Sequence, residues 1–569
     1  MVKPIEGSHL TTLDKRHITN YLALSRLHPL DILVDARDPD WDFAEEDVTV
    51  SLMGEVYHPP FSASHMEKVF QLLLPHLPRW RTLSILTDTW APMHSALHTI
   101  NTTIITQRAP MLESLTLMRC NDFVSFSSDF QPAALKSPAF LAPPDGTDVE
   151  SLHSETASIL PRLKHLSLRG VHVHWASLGA ALSTSRTGLY SLDLGSHCSD
   201  IRPSSPEFHH LLTSNPRLRK LIVSGSGPIV LSEPLQRESD AVLLPNLVSL
   251  TLGYRSSMEG QAILQMINAP SLTSLMLEEA TYPADPDDVD AGTLLTYLGT
   301  GEFQTVKERC IALYELQQQF MSKPRKDSTS SIASTSTCVG SSVEIDGRLF
   351  EEDGDDDMTL VDFDMKPHSP FPLLETVTLR NVRAKCLQPI SEFIGSLNHV
   401  RSLEMSNMSM KNVQALLPDS TLALKCLSID QASTSSSLAP TCLPCPQLQS
   451  LCLREFDMDP QDLDFVLSRL VGDRKAQGLC HLTNVDVHLG SNSTVASCEI
   501  RQNGCTSSLG DALREQDEVT FTQAGVTVNL MQRFSDEEEE DLDGVGDAFN
   551  DPHFDAFYAN SLVFADASR

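Results

Sequence analysis

Two cysteines frame the phrase "CLPC", Cys442 and Cys445, at the spacing of half a zinc or dithiol site. A whole site needs a second pair at a similar interval. Cys452 falls instead within an apolar phrase, and Cys480 and His481 are adjacent, so the pattern predicts buried thiols rather than a metal. Histidines pair in "HVH" (His172, His174) and "HH" (His209, His210), each without an acidic or cysteine partner close in sequence. They are expected at helix caps or on the surface. "SGSGP" (224–228) has two glycines but no third, no lysine and no helix start after it, so it fails as a phosphate-cradling loop. The chain contains no Gly-x-Ser-x-Gly elbow and no His-Glu-x-x-His. These residues predict no catalytic centre, no bound metal and no cofactor, hence a chain that is not an enzyme.

Charge narrows the partners. The formal net charge over 569 residues is −33, and it is concentrated. Residues 343–366 hold ten acidic and two basic side chains, and residues 536–569 hold eleven acidic ones and Arg569. Both runs read as solvated, disordered chain that cannot bury surface. Phosphate backbones require faces rich in Lys and Arg, so no nucleic-acid partner is expected. No apolar run approaches the roughly 18 residues of a membrane span, and "MVKPIEGSHLTTLDKRH" lacks the apolar core of a signal peptide. The twelve cysteines are scattered, most of them in apolar phrases such as "LKCLSI". A reducing compartment, cytoplasmic and/or nuclear, is the expectation.

Positioning elements are far more legible than chemistry. The phrase Pro-x-Leu-x-x-Leu-x-Leu recurs as "LPRLKHLSL", "NPRLRKLIV", "LPNLVSLTL" and "APSLTSLML". One series of anchors runs Leu166, Leu192, Leu221, Leu250, Leu275, and a second Val377, Leu403, Leu427, Leu451, Val485, with Leu83 and Leu115 upstream. Most intervals are in or slightly above the range of leucine-rich repeats, with longer ones from Leu115 to Leu166 and from Leu275 to Val377. Between anchors the apolar period changes from 2 to about 3.6: Met66, Val69, Phe70, Leu73 and Leu77 share one helical face. Asp459 and Pro460 have the residue types of a helix cap and first turn. Each unit is therefore a helix, a proline-marked turn and a short strand. The predicted fold is an α/β leucine-rich-repeat solenoid with parallel strands on the concave side and helices outside.

The predicted organisation is a helix–strand segment at 1–60, a first repeat block at 61–300, a helix plus disordered Ser/Thr-rich acidic insertion at 301–368, a second block with its cap at 369–532, and an acidic tail at 533–569. Residues 121–155 read as a loop. The serines and threonines beside the acidic run permit phosphorylation, with an unmodified surface loop as the plain alternative. Trp41, Trp80, Trp90 and Trp175 read as core anchors. Residues alternating with the leucines face the concave side. In the first block these are His165, Ser167, Arg169, Lys220, Ser224, Thr251, Ser274 and Glu278. In the second they are Thr376, Thr378, Arg380, Ser402, Glu404, Ser428, Asp430 and Arg454. They form the candidate surface for a protein partner.

The phrases "HPLDILVDARDPDWDF" (28–43), "LLPHLPRWRTLSILTD" (73–88) and "APMLESLTL" (109–117) resemble the F-box/leucine-rich-repeat proteins abundant in mushroom-forming fungi. The resemblance implies a Pro-Leu-Asp strand, a helix, an Arg-Trp-x-x-Leu strand and then the repeats. It also implies substrate recognition for a Skp–cullin–F-box ubiquitin ligase. The F-box itself is not seen, and residue 1 is expected to lie just past its end. Skp adaptor and cullin are thus expected partners only with an F-box upstream. A free-standing repeat scaffold or regulatory binding protein, unconnected to ubiquitin, is the alternative. A second departure is the loss of the asparagine that follows the strand in such repeats. Its place is taken by Cys120, Val171, His197, Ser226, Arg255, Ala280, Val382 and Met408, which predicts less regular turns.

Overall fold

A computed structural model describes residues 12–38, 61–120, 129–141, 159–185, 187–229, 241–280, 290–302, 369–417, 443–456, 469–476 and 482–489, residue 479, and the backbone of four strands between 499 and 532. The main sheet consists of β1 (Leu30–Ala36), β2 (Trp80–Thr87), β3 (Ser114–Arg119), β4 (His165–Arg169), β5 (Ser191–Gly195), β6 (Lys220–Ser224) and β7 (Ser249–Tyr254). It continues with β8 (Ser274–Glu279), β9 (Thr376–Arg380), β10 (Ser402–Ser406), β11 (Ser450–Phe456), β12 (Asn484–Leu489), β13 (Glu518–Gln523) and β14 (Val526–Gln532). From β1 to β12 the strands are hydrogen-bonded in chain order and parallel. β14 then pairs parallel with β12, and β13 pairs antiparallel with β14 at the edge.

The leucine spacing explains the register. Leu166, Leu192, Leu221, Leu250 and Leu275 lie opposite one another, and the row continues through Val377, Leu403, Leu451 and Val485. All nine are buried. A fully buried leucine contributes about 1.5–3 kcal/mol, and a slip by one residue would turn the whole row toward water. Leu427, Ser428 and Asp430 lie outside the described residues, and β10 is hydrogen-bonded directly to β11.

The helices include α1 (Thr12–Leu24), α2 (Ala63–Leu73), α3 (Trp90–Gln107), α4 (Trp175–Ser183) and α5 (Ser205–Thr213). They continue with α6 (Ser257–Gln265), α7 (Gly292–Thr300) and α8 (Leu387–Ser396). Sequence sets their starts. Ser204 and Glu207 form a reciprocal capping box on α5, and Ser62 with His65 does the same on α2. Helix α2 buries Met66, Val69, Phe70 and Leu73, the face its period predicts. Helices pack beside their neighbours, α2 on α3, α4 on α5, α6 on α7 and α7 on α8. Gly179 on α4 permits one such approach: a Cβ there would sit 2.6 Å from His210 Cδ2.

Trp80, Trp90 and Trp175 are buried, while Trp41 lies outside the described residues. Within the stretch read as a loop, residues 129–141 do structural work. Phe130 and Phe140 are buried, Phe130 meets the Trp90 ring edge-on at 5.2 Å, and Trp90 Nε1 donates to Leu135 O at 2.9 Å. The predicted cap at Asp459 and the acidic insertion and tail lie outside the described residues.

Candidate interaction face

Alternation puts the second and fourth residues of each short strand in the core and leaves the first and third on the opposite, open face, while the fifth shares that side but is buried in β4, β5 and β6. Adjacent strands then form rows about 4.8 Å apart. The first row includes His165, Ser191, Lys220, Ser249, Ser274, Thr376 and Ser402. The third runs Ser167, Asp193, Ile222, Thr251, Met276, Thr378, Glu404, Cys452 and Asp486. The fifth runs Arg169, Gly195, Ser224, Gly253, Glu278, Arg380, Ser406, Arg454 and His488. Every predicted face residue within the described set falls in one of these rows. The sequence reading omitted Asp193, Ile222, Met276, Cys452, Asp486 and His488. Their signal was present, because they alternate with the same leucines.

Charges on this face form a pair in the first block and a three-member cluster in the second. Arg169 Nε lies 3.1 Å from Asp193 Oδ2, which also accepts the Ser167 hydroxyl at 3.0 Å. Gly195, next to Arg169 in its row, lets that side chain lie flat across the sheet. Ser224 packs against Gly253 in the same row, and Arg169, Ser224 and Ser406 are more buried than an open face predicts. In the second block, Glu404 Oε1 lies 3.2 Å from Arg454 Nε and 3.7 Å from Arg380 Nη2. Burial and the neighbouring Arg454 hold His488 below its ordinary range, while burial raises the Cys452 thiol. Between the two charged clusters, Ile222, Thr251, Met276 and Thr378 make a neutral, half-buried stretch across four strands. It spans about 14 Å at ~4.8 Å per strand.

No family model matches the chain, and no curated protein is significantly similar to it.

Some of the residues singled out for chemistry belong to turns, whereas His209 and His210 lie within α5 and Cys452 within β11. At the end of six strands the chain bends through a left-handed residue: Gly170, Ser196, Gly225, Asn381, Asn407 and Glu455. Immediately beyond, where asparagines were missing, His197 and Ser226 take over the stitching. Backbone N–H of His197 donates to Ser226 Oγ at 3.0 Å, its Nδ1 is 2.9 Å from the same oxygen, and its Nε2 is 3.1 Å from Val171 O. Burial drives the His197 ring down to about 3, so it is neutral; Nε2–H donates to Val171 O and Nδ1 accepts from Ser226. "SGSGP" is the next turn. Gly225 has φ +56°, and Glu259 accepts from Gly227 N at 3.0 Å and Arg255 N at 2.9 Å while pairing with Arg202 at 3.1 Å.

His174 caps α4, with its Nδ1 accepting from Ser177 N. Cys445 is buried with its thiol pushed up to about 12 by burial, and Arg474 holds the carbonyls of Pro444 and Cys445. Cys442 lies outside the described residues. Among the described residues no group of three or more His, Cys, Asp or Glu side chains could hold a metal, and no helix is long and apolar enough to cross a membrane. At the end of β2, buried Asp88 accepts from Asp38 N beside the Asp35–Arg37 pair, and burial raises its carboxyl to about 7.

Proposed function

We propose that the chain is a leucine-rich-repeat solenoid whose concave strand face holds a protein partner. The observation that carries this reading is the neutral stretch Ile222–Thr251–Met276–Thr378 flanked by the Arg169–Asp193 and Arg380–Glu404–Arg454 clusters. A neutral, partly apolar centre with a charged rim fits the anatomy of a protein interface. Strands hydrogen-bonded in chain order support the solenoid, since each unit then packs mainly on its neighbours.

In its specific form the reading is substrate recognition for a Skp–cullin–F-box ligase. Its support is the resemblance in residues 28–117 and the order β1, α2, β2, which is the order that resemblance implies. The test is purification of the full chain, tagged at its C-terminus in the source cells, beside a Met276→Glu, Thr378→Arg variant. A stoichiometric protein retained by the parent and lost by the variant is expected. Skp adaptor and cullin in the same eluate support the ligase form. Their absence beside a retained partner leaves a free-standing binding scaffold. Equal recovery of every partner by parent and variant contradicts the face.

A further inference from the structure

We propose that Lys164, Tyr190, Arg219 and Lys220, at the strand-entry edge of β4–β6, form a ledge that binds an acidic peptide segment of a partner protein. This deepens the reading of the sheet face as a partner surface and rests on it. The residue just before each strand continues the sheet's row. Tyr190 N donates to Lys164 O at 2.7 Å, Arg219 N to Tyr190 O at 2.9 Å, and Val248 N to Arg219 O at 2.9 Å. Lys164, Tyr190, Arg219 and Val248 are thus consecutive neighbours, with His165 and Lys220 one residue further along their strands.

The ledge is built rather than merely charged. Arg219 lies over the Tyr190 ring at 5.9 Å, and the His165 ring meets the same Tyr edge-on at 6.5 Å. A guanidinium stacked on a ring keeps its planar fork available to a carboxylate. Tyr190 is 36% exposed and Val248 is 43% exposed, which offers apolar contact beside the cations. The carboxylates facing this edge are Glu113, paired with Lys164 at 3.0 Å, and Asp193, paired with Arg169. Arg162 and Arg217 are exposed one turn earlier. In a chain of net charge −33 this edge has a local positive excess.

Spacing favours an extended ligand. Lys164 and Arg219 stand two strands apart, about 9.6 Å. A polyproline-II-like peptide repeats its side-chain direction every three residues, about 9.3 Å. Carboxylates three residues apart would meet both cations, and an apolar residue between or beyond them would meet Tyr190 or Val248.

The test is fluorescence anisotropy with the full chain and a fluorescein-labelled nonapeptide carrying aspartate at every third position and one leucine. Saturable binding is expected that weakens with added salt. It should fall at least tenfold in the Arg219→Gln, Lys220→Gln variant and stay unchanged in Lys68→Gln, an exposed position on α2, with circular dichroism and thermal unfolding of both variants matching the parent. Absent binding, or binding that survives the double variant, overturns the proposal. Binding that appears only after the acidic residues of 343–366 are replaced by Asn and Gln assigns the ledge to the chain's own segment and overturns the partner assignment. A partner retained through Met276 and Thr378 while the peptide fails leaves the wider reading standing and sinks this one.

Discussion

Two polar clusters in this molecule use the same residue types for opposite ends. The turn network beyond β5–β7 holds Arg202 and Glu259 with side chains only 9% and 5% exposed, together with His197 and Ser226 at 0%. On the open face, Arg380, Glu404 and Arg454 are 22%, 24% and 45% exposed. The first cluster satisfies backbone groups such as Gly227 N and Arg255 N that water does not reach. The second pairs within itself and is only partly exposed. A buried ion pair is costly to break because the survivor is stranded, whereas an exposed one adds little to stability. Of these two clusters, the one in the turns is thus bound into the fold, and the one on β9–β11 is the more exposed.

The contrast is sharpest at Glu259. Glu259→Ala strands Arg202 and two backbone donors, so urea unfolding should show a loss of about 3–5 kcal/mol; a loss below about 1 kcal/mol would break the comparison. His197→Ala leaves Ser226 and Val171 O without their ring partner and should cost about 2–3 kcal/mol at pH 7. Because burial holds the folded His197 below its ordinary value, its contribution is complete above about pH 6.5 and is lost as pH falls toward about 3. Stability measured across that window should decline less steeply in the variant than in the parent.

Asp88 has the opposite sign. Its folded carboxyl is raised to about 7 from 3.8, so its stabilisation is present at low pH and is lost as pH rises through about 7. Asp88→Asn should exceed the parent by on the order of 1–3 kcal/mol at pH 8 and converge with it near pH 4. The smallest effect on folding is expected at Glu404. Glu404→Gln should change stability by at most about 1 kcal/mol while weakening capture of the partner. A large folding defect there would erase the distinction between the clusters.

The sheet was legible because period is a physical constraint: buried leucines at fixed intervals admit one register, and Leu166 through Leu275 align as their spacing predicts. The face was legible in part for the same reason, since His165, Thr378 and Glu404 follow from alternation. Asp193 and Met276 follow from it too, yet polarity and charge drew attention elsewhere. Turn chemistry was not legible. The sequence marks His197 as standing where the asparagine would be, but nothing local marks its bonds, because its partners Val171 and Ser226 lie 26 and 29 residues away. Arg169 looked exposed because alternation is blind to a side chain folding over Gly195 onto Asp193.

The neutral stretch between the charged clusters is the proposed meeting place with a protein partner. The most direct measurement places a photo-crosslinking amino acid at Thr378 on that stretch and, separately, at exposed Gln388 on α8. After irradiation in the source cells, a discrete adduct from position 378 and none of the same mass from position 388 is the predicted result. The same adduct from both positions, or from 388 alone, would contradict it.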